Sequence, residues 1–382
     1  MAEKMINFNE PPIISSGNKY VVDAIACGKL SGDGKYTKKC SRWLEENFNC
    51  NKVLLTTSCS MALDMAAILC DVKPGDDVIL PSFTFSSTAN SFALRGANLV
   101  FIDIDPKTMN MDADLLEKAI NNNTKVIIPV HYAGISCDMD AIMSIAKKHD
   151  IFVVEDAAQG VMSTYKDKAL GTMGDLGCYS FHETKNFSMG EGGALLINNE
   201  KLIKRAEIIR EKGTNRAQFL RGEIDKYTWV DLGDSFLPSD LNAAYLWGQL
   251  EVADDITKKR MHIWEKYYNA FKEYEKENRV ELPNVPSNCK HNAHLFYIKF
   301  KDIEERTEYI KFMKGNGIAC TFHYVPLHSA PAGLKYGGFS GEDNFTTRES
   351  KRLVRLPLHY NLEDEDIEYV ISCTKKFVEM IE

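Results

Sequence analysis

A chain of 382 residues, 44% hydrophobic and 26% charged, has the composition of an ordered globular protein and the length for two or three structural units. Its formal net charge is -8, and Lys and Arg are spread along it rather than gathered in the basic block that phosphate-backbone binding needs, so no nucleic-acid partner is expected. Met1 to Pro12 holds no apolar signal core and no later stretch is a charge-free membrane span, so we expect no membrane association and a cytoplasmic location.

From residue 53 to residue 198 short β-branched apolar runs alternate with helix-period segments. The runs are 53–55, 77–80, 98–104, 125–130, 151–155, 177–181 and 193–197, with amphipathic stretches at 61–70, 113–121 and 139–149 between them. Continuous apolar strands separated by helices predict an α/β domain with a mostly parallel sheet covered on both faces. Residues 199–277 read as mostly helical, broken at Gly213 and Pro238, with Ser239-Asp240 opening a long helix towards Lys276. After Pro283-Asn284-Val285-Pro286 the pattern predicts a strand over 293–300, a helix over 304–314, a strand over 318–324 and then helices to the end. This gives a large α/β domain with an N-terminal arm over 1–250 and a smaller α+β domain over 251–382.

The ten cysteines never form a C-x-x-C pair and the nine histidines show no metal-ligand spacing, so neither disulfides nor a metal is expected.

Three local patterns carry chemistry. The apolar run Ile151-Phe152-Val153-Val154 delivers Asp156 to the carboxyl end of a parallel strand, where ligands bind in open α/β sheets. Taken alone, Asp156 serves equally well as a helix cap. Lys185 lies 29 positions on (185 - 156), between the apolar run at 177–181 and Gly190-Glu191-Gly192-Gly193, which predicts a tight, partly buried turn. Burial lowers a lysine's pKa, as an amine nucleophile requires. Finally, Thr56-Thr57-Ser58-Cys59-Ser60 turns the chain from a strand into a helix, whose free amides suit a phosphate. An acid for a pyridinium nitrogen, an amine for an aldehyde and a helix start for a phosphate together match pyridoxal 5'-phosphate. A dinucleotide site fits less well, because Leu195 stands where G-x-G-x-x-G needs its last glycine.

At these residues the chain resembles the DegT/DnrJ/EryC1/StrS family of sugar aminotransferases, which are fold-type I enzymes with the aspartate-aminotransferase-like architecture. The resemblance runs through Gly28-Lys29-Leu30-Ser31-Gly32, Pro81-Ser82-Phe83-Thr84-Phe85, Glu155-Asp156-Ala157-Ala158-Gln159, residues 180–186, residues 190–193 and His323-Tyr324-Val325-Pro326-Leu327-His328. It implies that Lys185 holds the cofactor covalently and moves the proton, that Asp156 pairs with the pyridine nitrogen and that Gln159 approaches the ring hydroxyl. It also implies that Ser58, Cys59, Ser60 and Ser180 hold the phosphate and that Phe85 stacks on the ring, although plain core packing explains Phe85 as well. Where many members read G-Y-N-Y-R, this chain has Gly233-Asp234-Ser235-Phe236-Leu237, so Ser235 replaces the Asn that reaches the partner's phosphate.

Further stretches outside the cofactor motif resemble the branch that aminates C4 of dTDP-4-dehydro-6-deoxy-D-glucose for enterobacterial common antigen. They include Val130-His131-Tyr132-Ala133-Gly134, Arg210-Glu211-Lys212-Gly213-Thr214-Asn215-Arg216 and Asp225-Lys226-Tyr227-Thr228-Trp229. The branch implies L-glutamate as amino donor, a dTDP-linked keto sugar as acceptor and a homodimer with shared active sites. It offers Arg216, Tyr227, His323, Tyr324 and His328 as substrate contacts. Amination at C3, the C4 epimer and a non-catalytic sugar-nucleotide binder remain alternatives, whereas Lys185 argues against the dehydratase branch, which carries His there.

Overall fold

The computed structural model describes residues 5–381. Its first half runs through β1 (Lys52–Thr56), β2 (Asp77–Pro81), β3 (Asn98–Ile102), β4 (Thr124–Ile127), β5 (Phe152–Asp156), β6 (Thr164–Tyr165), β7 (Lys168–Ala169), β8 (Leu176–Ser180) and β9 (Gly193–Ile197). The last third adds β10 (Cys289–Lys290), β11 (Phe296–Lys299), β12 (Thr321–Phe322), β13 (Gly337–Phe339) and β14 (Leu353–Leu356).

An eight-stranded sheet has the order β1-β9-β8-β5-β4-β2-β3-β13. From β8 to β13 its neighbours pair in parallel, and only β9 runs against both β8 and β1. The period of two along each strand shows in the packing. Val53, Leu55 and Ile79 join the core on one face, while Leu54, Val78 and Leu80 join the core on the other. Helices cover both faces, so β2, β8 and β9 are buried throughout, as their apolar runs require. A separate antiparallel sheet, β11-β14-β12, supports a third core of Ile263, Tyr267, Phe296, Ile298, Val354, Leu356 and their neighbours.

The predicted strands and the helix over 139–149 are present, but three expectations need correction. The long helix is two helices, Asp240–Leu250 and Ala253–Lys276, broken where Val252 leaves helical geometry at φ -122° and ψ 29°. Leu250, Ala253 and Ile256 then pack on the large core and Ile263, Trp264 and Phe271 on the third, so one helical run serves two cores. The stretch read as helical before Pro238 holds helices Ile203–Arg210 and Arg216–Leu220 and then folds back as irregular chain. Gly213 makes this possible: at φ +73° a Cβ would stand 1.9 Å from the Asp231 carbonyl oxygen. Lastly, the end is not all helix. β13 joins the large sheet beside β3, where a Cβ on Gly337 would meet the Leu99 oxygen at 2.4 Å, and β14 centres the small sheet.

Candidate active site

The carboxyl edge of the parallel strands opens on a cavity of about 580 Å³. Asp156, the last residue of β5, is 6% exposed there. The Thr88 hydroxyl donates to its Oδ2 at 2.7 Å and the Ala158 amide to its Oδ1 at 3.1 Å. Among the described residues it has no ion-pair partner, so the carboxylate is oriented by two donors and keeps lone pairs for a protonated ligand nitrogen.

Helix Cys59–Leu69 starts at the same cavity. Ser58 caps it by accepting the Met61 amide at 3.1 Å, while the amides of Cys59 and Ser60, first in the helix, have no carbonyl one turn back. Ser60 Oγ lies 2.7 Å from Ser87 Oγ in the first turn of helix Ser86–Ala93, so two helix N-termini face one space, as an anion prefers. Ser180, the last residue of β8, also lines it. A Cβ on Gly193 would stand 2.4 Å from the Cys59 amide nitrogen, so glycine alone lets β9 begin against this turn.

Lys185 sits in the connection between β8 and β9, on the cavity wall. Its amide donates to the His182 oxygen at 2.9 Å, and the Glu183 amide to the Gly190 oxygen at 2.8 Å. Behind it, buried Asn186 donates to the Asn292 oxygen at 3.0 Å and bonds His294 Nδ1 at 2.9 Å. The Lys185 ammonium makes no ion pair among the described residues. Burial holds its pKa below the ordinary 10.5; Cys59 and Asp156 oppose that shift and the Arg355 cation adds to it.

The opposite wall is aromatic. Gln159 is fixed at both ends, its Oε1 accepting the Ala133 amide at 2.7 Å and its Nε2 donating to the Tyr324 hydroxyl at 3.1 Å. The His323 and Tyr324 rings stack 3.5 Å apart, and Tyr132 Oη lies 2.9 Å from His323 Nδ1. Burial, chiefly, keeps His323 neutral, well below its ordinary value. Phe85 is 58% exposed and lines the cavity 6.3 Å from Tyr324, so it is no core residue.

The structure thus brings together Ser58, Cys59, Ser60, Phe85, Asp156, Gln159, Ser180, Lys185, His323 and Tyr324. It does not bring Arg216, Tyr227, Ser235 or His328 to this wall. Arg216 pairs with Glu211 at 3.3 Å, and Tyr227 is half exposed beside Phe219. Ser235 is exposed and bridges to Glu211, while His328 is held by Ser82 at 2.7 Å and Asp343 at 3.2 Å. Thr88 and Arg355 line the cavity without having been singled out in sequence, and His131, within the stretch 130–134, lines it too. Only Arg355 left a signal, a charge inside the apolar run Leu353-Val354-Arg355-Leu356.

The residues fit pyridoxal phosphate: an oriented acid, a half-buried amine without an ion pair among the described residues and an anion cup share one cavity. Among the described residues no group of three or more His, Cys, Asp or Glu is placed to hold a metal, and the cysteines are free.

Comparison with known proteins follows the same lines. The model of the DegT/DnrJ/EryC1/StrS aminotransferase family matches residues 12–375. The chain is 35% identical over 330 residues to the spore coat polysaccharide biosynthesis protein SpsC of Bacillus subtilis, with 84% of each covered. It is 28% identical over 376 residues to GDP-perosamine synthase of Caulobacter vibrioides, with 96% of each covered. The Spr1654 protein of Streptococcus pneumoniae in its PLP form superposes with a TM-score of 0.88 at 29% identity, covering 99% of this chain and 100% of that one.

Proposed function

The chain belongs to the DegT/DnrJ/EryC1/StrS aminotransferase family, and we propose that it moves an amino group from L-glutamate to C4 of dTDP-4-dehydro-6-deoxy-D-glucose, giving dTDP-4-amino-4,6-dideoxy-D-galactose. It is a sugar aminotransferase with the α/β fold of the pyridoxal-phosphate aminotransferases, and its cofactor is pyridoxal 5'-phosphate. The choice of dTDP and of C4 rests on the stretches around His131, Arg216 and Tyr227 that lie outside the cofactor motif.

When bound, the cofactor supplies a ring that withdraws electrons from the carbon losing its proton. Asp156 would hold the proton of the ring nitrogen, with the Thr88 and Ala158 donors fixing the carboxylate. The amides of Cys59 and Ser60 and the Ser180 hydroxyl would hold the phosphate, Gln159 would reach the ring hydroxyl, and Phe85 would cover a ring face. Lys185 Nζ would hold the aldehyde carbon; once displaced, it takes the proton from the donor's Cα and returns one to C4 of the sugar. An amine kept weakly basic by burial suits both transfers, since it accepts and releases a proton nearer neutral pH than a surface lysine. The convergence of Lys185, Asp156 and two helix starts on one cavity carries this reading.

A homodimer completes the proposal. Trp229 is 73%, Leu232 52%, Tyr227 50% and Val230 49% exposed on one irregular segment that also presents Ser235, the kind of apolar surface a second copy covers. We place the enzyme in the cytoplasm, in the supply of a surface glycan. Among the described residues no helix is long and apolar enough to cross a membrane.

The test is product NMR after incubating the protein with pyridoxal phosphate, L-glutamate and dTDP-4-dehydro-6-deoxy-D-glucose, beside the GDP-linked keto sugar. An axial C4 amine on the dTDP sugar is the expected product. A C3 amine, the equatorial epimer or preference for the GDP sugar overturns the specific substrate; no aminated sugar from either overturns the transaminase reading.

A further inference from the structure

Arg355 places a cation in the cavity wall with no ion-pair partner among the described residues. It is the third residue of β14, whose neighbours Val354 and Leu356 are fully buried in the small core. Strand alternation therefore sends Arg355 to the other side, where it lines the cavity that holds Lys185. Its Nη2 donates to the Phe322 carbonyl oxygen at 3.0 Å, and the guanidinium stands 4.6 Å from the Phe8 ring centroid. Its Nε is buried with no acceptor, and among the described residues the group has no carboxylate partner. An arginine stays protonated at any physiological pH, so a half-buried one whose Nε is shut off from solvent and has no anion carries a desolvation cost that a ligand anion would offset.

We propose that Arg355 is the anchor for the carboxylate of the amino donor, an inference that rests on the transaminase reading above. The oxyanions that reach this cavity are the cofactor phosphate, the donor carboxylates and the nucleotide diphosphate. Ser58, Cys59, Ser60 and Ser180 already make a phosphate cup. Of the other two, the α-carboxylate is bonded directly to the carbon whose proton Lys185 Nζ removes, so its anchor belongs beside Lys185. The diphosphate is attached across the sugar ring from C4 and belongs farther out. Arg355 lines the same cavity as Lys185, His294 and His323, the groups at the reacting end. The planar fork of a guanidinium also fixes a carboxylate by two parallel hydrogen bonds, which holds the Cα–H bond in one orientation. When the keto sugar takes the donor's place, its hydroxyls accept from the same N–H groups as neutral, weaker contacts.

Arg355→Gln and Arg355→Lys, each loaded with pyridoxal phosphate, test this through the two half-reactions followed separately by absorbance. For Arg355→Gln, kcat/KM with L-glutamate should fall roughly 10- to 100-fold, the scale of a lost charge-assisted hydrogen bond, with a smaller fall for Arg355→Lys. The half-reaction with the aminated dTDP sugar should fall distinctly less in both. Glutarate, an amine-free dicarboxylate, should bind the variant apoproteins more weakly than the parent in calorimetric titration. Equal losses in the two half-reactions, a larger loss with the sugar, or unchanged glutarate binding overturns the assignment while leaving the transaminase reading standing. A parent enzyme that does not react with L-glutamate removes the reading itself, before any variant is made.

Discussion

The inner wall of the cavity and the outer segment from residue 211 to residue 239 hold residues of similar type in opposite conditions. On the inner wall the acid and the amide have fixed partners: Asp156 has Thr88 and Ala158, and Gln159 has Ala133 and Tyr324. In the outer segment Tyr227, Trp229 and Ser235 are exposed, and Arg216 is tied to Glu211 rather than to the cavity. Preorganised groups define the chemistry of one chain, whereas groups left in solvent acquire a role only when something covers them.

That contrast can be broken or sharpened by substitution. Lys185→Ala should have the largest effect, lowering kcat by on the order of 10³ or more, because the same amine holds the cofactor and moves the proton; steady-state kinetics read it. Asp156→Asn keeps the acceptor for Thr88 but removes the charge. It should weaken pyridoxal phosphate binding roughly 10- to 100-fold in an equilibrium titration. A stability measurement probes the same wall without cofactor. Because the folded-state pKa of Lys185 lies below 10.5, the parent apoprotein gains stability as pH rises from that folded value towards 10.5. Lys185→Met should therefore be stabilised relative to the parent at low pH, with an advantage that shrinks through this window in denaturant titrations. The smallest effect should be that of Ser235→Ala, a change of a few-fold at most in kcat/KM, the scale of a single exposed hydrogen bond. If Ser235→Ala costs as much as Asp156→Asn, the outer segment is part of the inner site and the comparison fails.

The same division explains what could be read from sequence. Asp156 and Lys185 stand at the ends of apolar runs, and Ser58 at a strand-to-helix turn, so local pattern and the rule for open α/β sheets locate all three. The strands of the large sheet other than β13 are legible for the same reason, being continuous apolar runs. Thr88 was not, because its role depends on helix Ser86–Ala93 meeting β5 across 68 positions of chain. Nor was β13, since Gly337-Gly338 reads as a loop until the missing Cβ is set against Leu99. The break at Val252 answers to two cores that the helical period of either half does not reveal. His323 and Tyr324 were found through family resemblance alone, and the hydrogen bond from Gln159 to Tyr324 shows why: their place is set by contacts spanning 165 positions.

The most direct measurement is the absorbance spectrum of the purified protein with pyridoxal phosphate, before and after L-glutamate and then after the keto sugar. The account predicts a yellow band that glutamate bleaches and the sugar restores, absent in Lys185→Ala. A parent protein that binds no cofactor, or a Lys185→Ala variant that shows the same band and the same cycle, would contradict it.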